Sequence, residues 1–422
     1  MEADPSVTTL SLSGQHWMDE PDTRKVVSAL TKGGHGARFV GGCVRDALLD
    51  LPIKDIDIAT PERPKAVMAM LRAAGIKALP TGLQHGTITA VTDSHHYEIT
   101  TLRVDIETDG RRATVEFTED WQADAERRDF TINALYADLD GTVYDYVGGV
   151  EDLKAGRVRF IGDPYQRIDE DALRILRFFR FNAWYGHGEL DEAGLTACWN
   201  QARRIKELSG ERLQTEILSL LGAPKPDGIL KTMVDVGILR DVLGEAVQAG
   251  VDRVARLGRL EAELQSVDSL RRLAAVVETD SAGMDELTRR LRMSNADRKR
   301  LVDMIRPAPD VSAATDERTL RQMLYRLGRE RFIDLTFLAA AAREDGPDVT
   351  EIRRIVDFAR AWIRPNLPVK GDDVLKRKVP QGEAVRRILT KVEDWWVEED
   401  FPADRDRALE QLERAVEAYR AA

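Results

Sequence analysis

At 422 residues, the chain is too long for one small core, and roughly two to four domains are expected. Its composition, 43% hydrophobic and 32% charged, is that of a globular protein, and no apolar run is long enough to span a bilayer, which excludes a membrane-spanning class. The 62 basic and 73 acidic residues leave a net charge of −11, which argues mildly against a nucleic-acid partner, although binding depends on where the basic residues gather.

In chain order, the acidic start MEADPSVTTLSLSG has no basic region followed by an apolar one, so no secretory signal is expected. Cys43 and Cys198 lie in different segments, which fits a reducing, cytoplasmic setting and no zinc cluster. A helix is expected over about 15–35, leading into the β-type run ARFV. Gly41 and Gly42 follow it and open a helix, CVRDALLD, with Val44, Ala47 and Leu48 on one face. Glycines between a strand and a helix let backbone N–H groups approach an anion, and Arg45 in the first turn can add a charge-assisted contact to phosphate. A plain tight turn explains the glycines equally well until the next segment is read.

That segment is DIDIAT, where Asp55 and Asp57 alternate with Ile56 and Ile58. Side chains two apart on a strand share a face about 7 Å apart along it. The acids therefore point one way and the isoleucines into a core. Two carboxylates on one edge repel unless a cation sits between them, and such oxygen ligands suit Mg²⁺, which takes one or two carboxylates plus substrate phosphates.

A helix, RPKAVMAMLRAAG (63–75), comes next, then an antiparallel hairpin over 85–104 and a further strand in TVYDYVGG. Glu98, on the hairpin's second strand, is the candidate third carboxylate, against the alternative of a solvent-facing acid. In ERRDFTINALY, Asp129 could cap a helix FTINALY, while Arg127 and Arg128 beside it suit a polyphosphate and a ribose hydroxyl. From Asp163 onward strand signals nearly vanish and 3.6-residue periods dominate, with breaks at 222–228, 306–317 and 364–373.

The stretch IDEDALRILRFFRF (168–181) is expected to be one helix with Asp171, Arg174, Arg177 and Arg180 spaced every three residues. Residues three apart are helix neighbours, so Asp171 and Arg174 can offer an acceptor beside a donor fork. Cytosine and adenine each present an amino donor beside a ring-nitrogen acceptor, whereas uracil and guanine present an oxygen beside an N–H. One Asp–Arg pair can thus accept C and A and refuse U and G without a nucleic-acid template. An internal salt bridge on a solvated face is the competing explanation. Positive charge also gathers further on, in Arg289, Arg290, Arg292, Arg298, Lys299 and Arg300, as either a solvated face or an RNA contact.

FVGGCVRDALLDLPIKDIDIAT, RRDFTINAL and DPYQRIDEDALRILRFFRF, in this order and spacing, resemble class II of the polymerase-β-like nucleotidyltransferases. That class holds the bacterial tRNA CCA-adding enzymes and bacterial poly(A) polymerases. The resemblance is strong over residues 37–222, including ERLQTEILSLL, and weaker through LRMSNADRKRL and KGDDVLKRKVPQGEAVRRIL. It implies an α+β fold: a nucleotidyltransferase head with a small mixed sheet (1–150), then an all-helical neck (151–222), body (223–310) and tail (311–422). It also implies that Asp55 and Asp57 hold the metal, while Gly41, Gly42 and Arg45 contact the nucleotide. Arg128, Asp129 and Asn133 would line the triphosphate and ribose, Asp171 and Arg174 would read the base, and Arg177 and Arg180 would be further nucleotide contacts.

The partners implied are tRNA, ATP and CTP, with Mg²⁺ as cofactor and no membrane. The chemistry implied is attack of a tRNA 3′-hydroxyl on the α-phosphorus of CTP or ATP with loss of pyrophosphate. Poly(A) polymerase, a CC-adding and an A-adding enzyme are the alternatives. LPTGLQHGTITAV (79–91) looks like the CCA-adding version, and RVDIETDGRRATVEF (103–117) has the make-up of the loop that helps switch from C to A. All six histidines precede residue 188, which excludes a C-terminal His-ligated phosphohydrolase site. The intact carboxylate motifs disfavour a non-catalytic RNA-binding protein, and the long helical remainder disfavours a small-molecule adenylyltransferase.

Overall fold

A computed structural model of the chain describes residues 6–109, 112–244, 248–306, 316–346 and 348–421. The chain divides into two compact units, Met1–Gly244 and Glu245–Ala422. The first holds all the strands found among the described residues: β1 (Val7–Ser11), β2 (Arg38–Val40), β3 (Ile56–Thr60), β4 (Lys77–Gly82) and β5 (Thr87–Val91). They continue as β6 (His96–Thr101), β7 (Arg103–Asp109), β8 (Arg112–Phe117), β9 (Leu135–Ala137) and β10 (Thr142–Asp145). Eight of them form one sheet in the order β1-β10-β9-β2-β3-β6-β5-β4, and β7 and β8 form a separate ribbon. The pairing of β3 with β6 is parallel, and the other pairings in the sheet are antiparallel. Helices make up the rest, so the expected α+β class stands.

The hairpin read at 85–104 is the β5–β6 pair, with Ile88 opposite Ile99 and both fully buried. Three segments expected to be single helices differ from that reading. The helix expected over 15–35 is two helices, His16–Asp19 and Pro21–Thr31. Pro21 lies at the start of the second, and Glu20 before it is extended (ψ 138°), because the proline ring disfavours helical backbone in the residue it follows. FTINALY is a short 3₁₀ turn, Thr131–Asn133, followed by β9, not a helix. Residues Leu135, Tyr136 and Ala137 are fully buried between β2 and β10, where ladder pairing overrides local propensity. The segment 103–117 is the β7–β8 ribbon, and its tip at 110–111 lies outside the described residues.

The third difference positions the site. The helix expected over 168–181 is broken: one helix, Pro164–Glu170, ends before Asp171, and a second runs Leu173–Tyr185. Asp171 is extended (φ −157°, ψ 107°), and its Oδ1 accepts from the Leu173 N–H at 3.0 Å. Asp competes for backbone donors at helix starts, and here it wins over helix continuation.

Helices are the only named elements in the described residues of the second unit. One core gathers Leu320, Leu324, Phe332, Ile355 and Ala359. Inside the unit, fully buried Glu261 accepts from Arg271 at 2.9 Å and Arg272 at 2.6 Å, and Arg271 also reaches Asp334 at 3.1 Å.

Candidate active site

Gly41 holds φ 72°, a left-handed conformation that favours glycine, and lies 3.5 Å (from an ideal Cβ position) from the Asn133 carbonyl. The helix Gly42–Leu48 then presents Arg45, only 6% exposed. Arg45 donates to Asp46 at 2.8 Å, to the Asn133 side-chain oxygen and to the Tyr185 hydroxyl at 2.7 Å.

Asp55 stands exposed just before β3, and Asp57 is half-buried within it, while Ile56 and Ile58 between and beyond them are buried. The parallel register sets Glu98 of β6 directly beside Asp57. Burial pushes the Asp57 carboxyl up to about 6, the neighbouring Glu98 and Asp55 push it the same way, and Arg128 opposes them. Crowded carboxylates that resist ionisation together are the environment a cation relieves, so these residues fit a divalent ion. Among the described residues no three His, Cys, Asp or Glu side chains form a metal-ligating group. Asp55 and Asp57 are the two carboxylates that line the site beside β3.

Arg128 is fixed from behind. Asp124, 1% exposed, accepts from Arg128 at 3.0 Å, from Arg127 at 2.7 and 2.9 Å, and from the Tyr136 hydroxyl at 2.8 Å. Asp129 takes the Phe130 N–H and the Asn133 amide on one oxygen and Arg177 at 2.6 Å on the other. Burial alone would raise the Asp129 carboxyl; Arg177 and the Asn133 amide outweigh it and hold the group below the usual carboxylate range.

The two proposed base readers do not pair with each other. Asp171 Oδ2 accepts from Arg212 at 2.6 Å, and Arg174 donates to Glu170 and to the Arg167 carbonyl at 2.9 Å. Arg180 donates to Glu216, which is 5% exposed and also lies 3.8 Å from Arg177.

One cavity of about 680 Å³ collects Gly41, Gly42, Arg45, Asp55, Asp57, Arg128, Asp129, Asn133, Asp171, Arg174, Arg177 and Arg180. Glu98 is not among its lining residues. Arg127, Leu173, Phe181 and Arg212 complete the wall, which gives seven arginines against four aspartates in a chain of net charge −11. Such focused positive charge suits a polyphosphate. Sequence reasoning missed Arg212 and Glu216. The signal for Glu216 was an acid on the face of the helix Gly210–Leu221 that buries Leu213, Ile217 and Leu220.

The basic residues of the second unit divide. Arg300 is bound to Asp268 at 2.7 Å and Asp334 at 2.9 Å, so it serves the interior network. Arg289 and Arg298 share Asp285, and Lys299 pairs with Asp303. Arg290 and Arg292 are exposed.

Comparison with known proteins agrees with this geometry. The Poly A polymerase head domain family matches residues 37–159, and the family described as the probable RNA and SrmB-binding site of polymerase A matches 189–248. The chain is 34% identical over 394 residues to CCA tRNA nucleotidyltransferase 1, mitochondrial, of Danio rerio, covering 90% of this chain and 87% of that protein. Its human counterpart is 31% identical over 408 residues, covering 93% and 89%. The Bacillus stearothermophilus CCA-adding enzyme, solved in complex with CTP, superimposes with a TM-score of 0.78 at 26% identity, covering 96% of this chain and all of that one.

Proposed function

From the premise that the chain belongs to the CCA tRNA nucleotidyltransferase family, we propose how its residues divide the work. The enzyme adds C, C and A to the tRNA 3′ end from CTP and ATP and releases pyrophosphate, with no nucleic-acid template. The tRNA 3′-oxygen forms a bond to the α-phosphorus, the bond to the β-phosphate oxygen breaks, and the hydroxyl proton is lost.

Asp55 and Asp57 would hold Mg²⁺, which would supply Lewis-acid charge neutralisation to the phosphoryl transfer. Arg45 and Arg128 bind the triphosphate, and Asp129 with Asn133 meets the ribose. Asp171 and Arg174 read the amino-donor and ring-acceptor edge that C and A share. Arg177 and Arg180 extend the phosphate contacts. Glu98 keeps the Asp57 carboxyl crowded from the neighbouring strand. The exposed Arg289, Arg290 and Arg292 contact the tRNA backbone, with Arg298 and Lys299 at the margin of that patch. The head, the neck and the start of the body lie in the first unit, and the rest of the body and the tail lie in the second. No helix of the described residues is long and apolar enough to cross a membrane. Both cysteines are free and buried, which fits a cytoplasmic enzyme.

The observation that carries this reading is the cavity itself, an arginine-rich wall facing a carboxylate pair at a strand end. The test incubates Asp55→Ala and Asp57→Ala with Mg²⁺, each labelled nucleoside triphosphate and tRNA lacking its 3′ end. Incorporation of both CTP and ATP is expected to vanish while tRNA binding survives. Substantial turnover in either variant removes the assignment.

A further inference from the structure

Arg45 has a long, flexible side chain that must be fixed to aim its guanidinium, and the fixing points come from three segments. Asp46 is its neighbour on the same helix, and Asn133 belongs to the 3₁₀ turn before β9. The third is Tyr185, the last residue of the helix Leu173–Tyr185. Its hydroxyl accepts from Arg45 Nη2 at 2.7 Å, and the Arg45 guanidinium carbon lies 4.0 Å from the centre of its ring. Phe181, one turn earlier, lies 5.3 Å from the same guanidinium, and the Phe181 and Tyr185 rings stack at 5.9 Å. The guanidinium thus rests on an aromatic shelf and is hydrogen-bonded at its edge, a site where both terms are favourable.

Tyr185 does not line the cavity, although Arg45 and Phe181 do. It reaches the cavity through Arg45, and its hydroxyl also faces the Asp46 carboxylate. Burial pushes the Tyr185 phenol up to about 12, with Asp46 adding to the rise and Arg45 opposing it, so the hydroxyl stays protonated at neutral pH and accepts from the guanidinium as a neutral group. The helix that Tyr185 ends also carries Arg174, Arg177 and Arg180. The contact joins that helix to the helix Gly42–Leu48 that follows the glycine turn.

We propose that Tyr185 is a positioning residue for the incoming nucleotide, holding the Arg45 guanidinium against the cavity wall for the triphosphate of CTP and ATP alike. This rests on the reading that Arg45 contacts the nucleotide. Removing the hydroxyl leaves Arg45 with Asp46 and Asn133, so its charge stays compensated and the fold stands.

The test uses the full chain with Tyr185→Phe, Tyr185→Leu, Arg45→Ala and the Arg45→Ala/Tyr185→Phe double variant. Loss of one hydrogen bond of ordinary strength, acting through Arg45, predicts about a five- to tenfold rise in KM for Tyr185→Phe, equal for CTP and ATP, with kcat little changed. Tyr185→Leu also loses the ring and is expected to rise further, and the melting temperature of Tyr185→Phe should move by no more than ~3 °C. If Tyr185 acts through Arg45, Tyr185→Phe adds less than about twofold to the CTP dissociation constant once Arg45 is alanine. The same factor in both backgrounds, or a loss confined to kcat or to one nucleotide, overturns the proposal. If Arg45→Ala binds CTP as the wild type does, the reading of Arg45 itself falls. If Arg45→Ala weakens CTP and Tyr185→Phe does not, only the positioning role falls.

Discussion

Replacing Arg174 with alanine tests the proposed base reading apart from fold maintenance, because the carboxylate that Arg174 engages has a second arginine partner. Glu170, the carboxylate that Arg174 engages, also accepts from Arg167 at 3.0 Å. It therefore keeps a partner after the substitution, and the stability cost is about 1 kcal/mol, that of an ordinary hydrogen bond. Asp171 is held by Arg212 at 2.6 Å and by the Leu173 N–H, so the acceptor half of the reader stays aimed. What disappears is the donor fork. A bidentate contact to a base edge contributes about 1–3 kcal/mol of discrimination, so the preference for CTP over UTP should fall by roughly 5- to 150-fold. ATP over GTP should erode in parallel. The assay is kcat/KM for each of the four triphosphates on tRNA lacking its 3′ end, with urea unfolding as the stability control. A uniform drop across all four nucleotides, with the ranking of CTP and ATP over UTP and GTP intact, would refute the reasoning.

Other expectations follow from the buried charges. Glu216→Gln removes the counter-charge from Arg180 and Arg177 and should cost about 1.5–3 kcal/mol in urea unfolding, with weakened binding of all four nucleotides. Burial pushes the Asp124 carboxyl up, but Arg128 and Arg127 outweigh it and hold the group well below the usual carboxylate range. A depressed carboxyl stabilises the fold above its unfolded pKa of about 3.9, and that gain is lost as pH falls below it. Asp124→Asn should therefore lose about 3–5 kcal/mol at neutral pH, and thermal unfolding should show the gap to wild type closing toward pH ~2. An unchanged gap refutes it. Charge reversal at Arg289, Arg290 and Arg292 should weaken tRNA binding in filter assays and reduce its salt dependence, while KM for CTP holds.

DIDIAT was legible because its period of two survives in the fold: Ile56 and Ile58 are buried, and the aspartates face the cavity. The glycine turn was legible because only glycine readily takes the backbone found at Gly41. The break at Asp171 was hidden, since its spacing from Arg174 fits a helix as well as it fits a capped start. Arg212 and Glu216 were hidden for another reason. Their partners Asp171 and Arg180 lie 41 and 36 positions away, and periodicity reports which face is buried, not what that face meets. β9 was misread because three buried residues are too few for a strand period to declare itself.

Each of the seven arginines of the cavity keeps a resident carboxylate: Arg45 has Asp46, Arg127 and Arg128 share Asp124, Arg174 has Glu170, Arg177 has Asp129, Arg180 has Glu216 and Arg212 has Asp171. An arriving triphosphate enters as a competitor and displaces or shares counter-ions already in place. The wall binds less tightly than seven bare guanidinium groups would, and its ion pairs are available to re-form when pyrophosphate departs. For a catalyst that must empty and refill the same chamber between successive additions to one growing end, built-in ease of leaving is as useful as strength of capture.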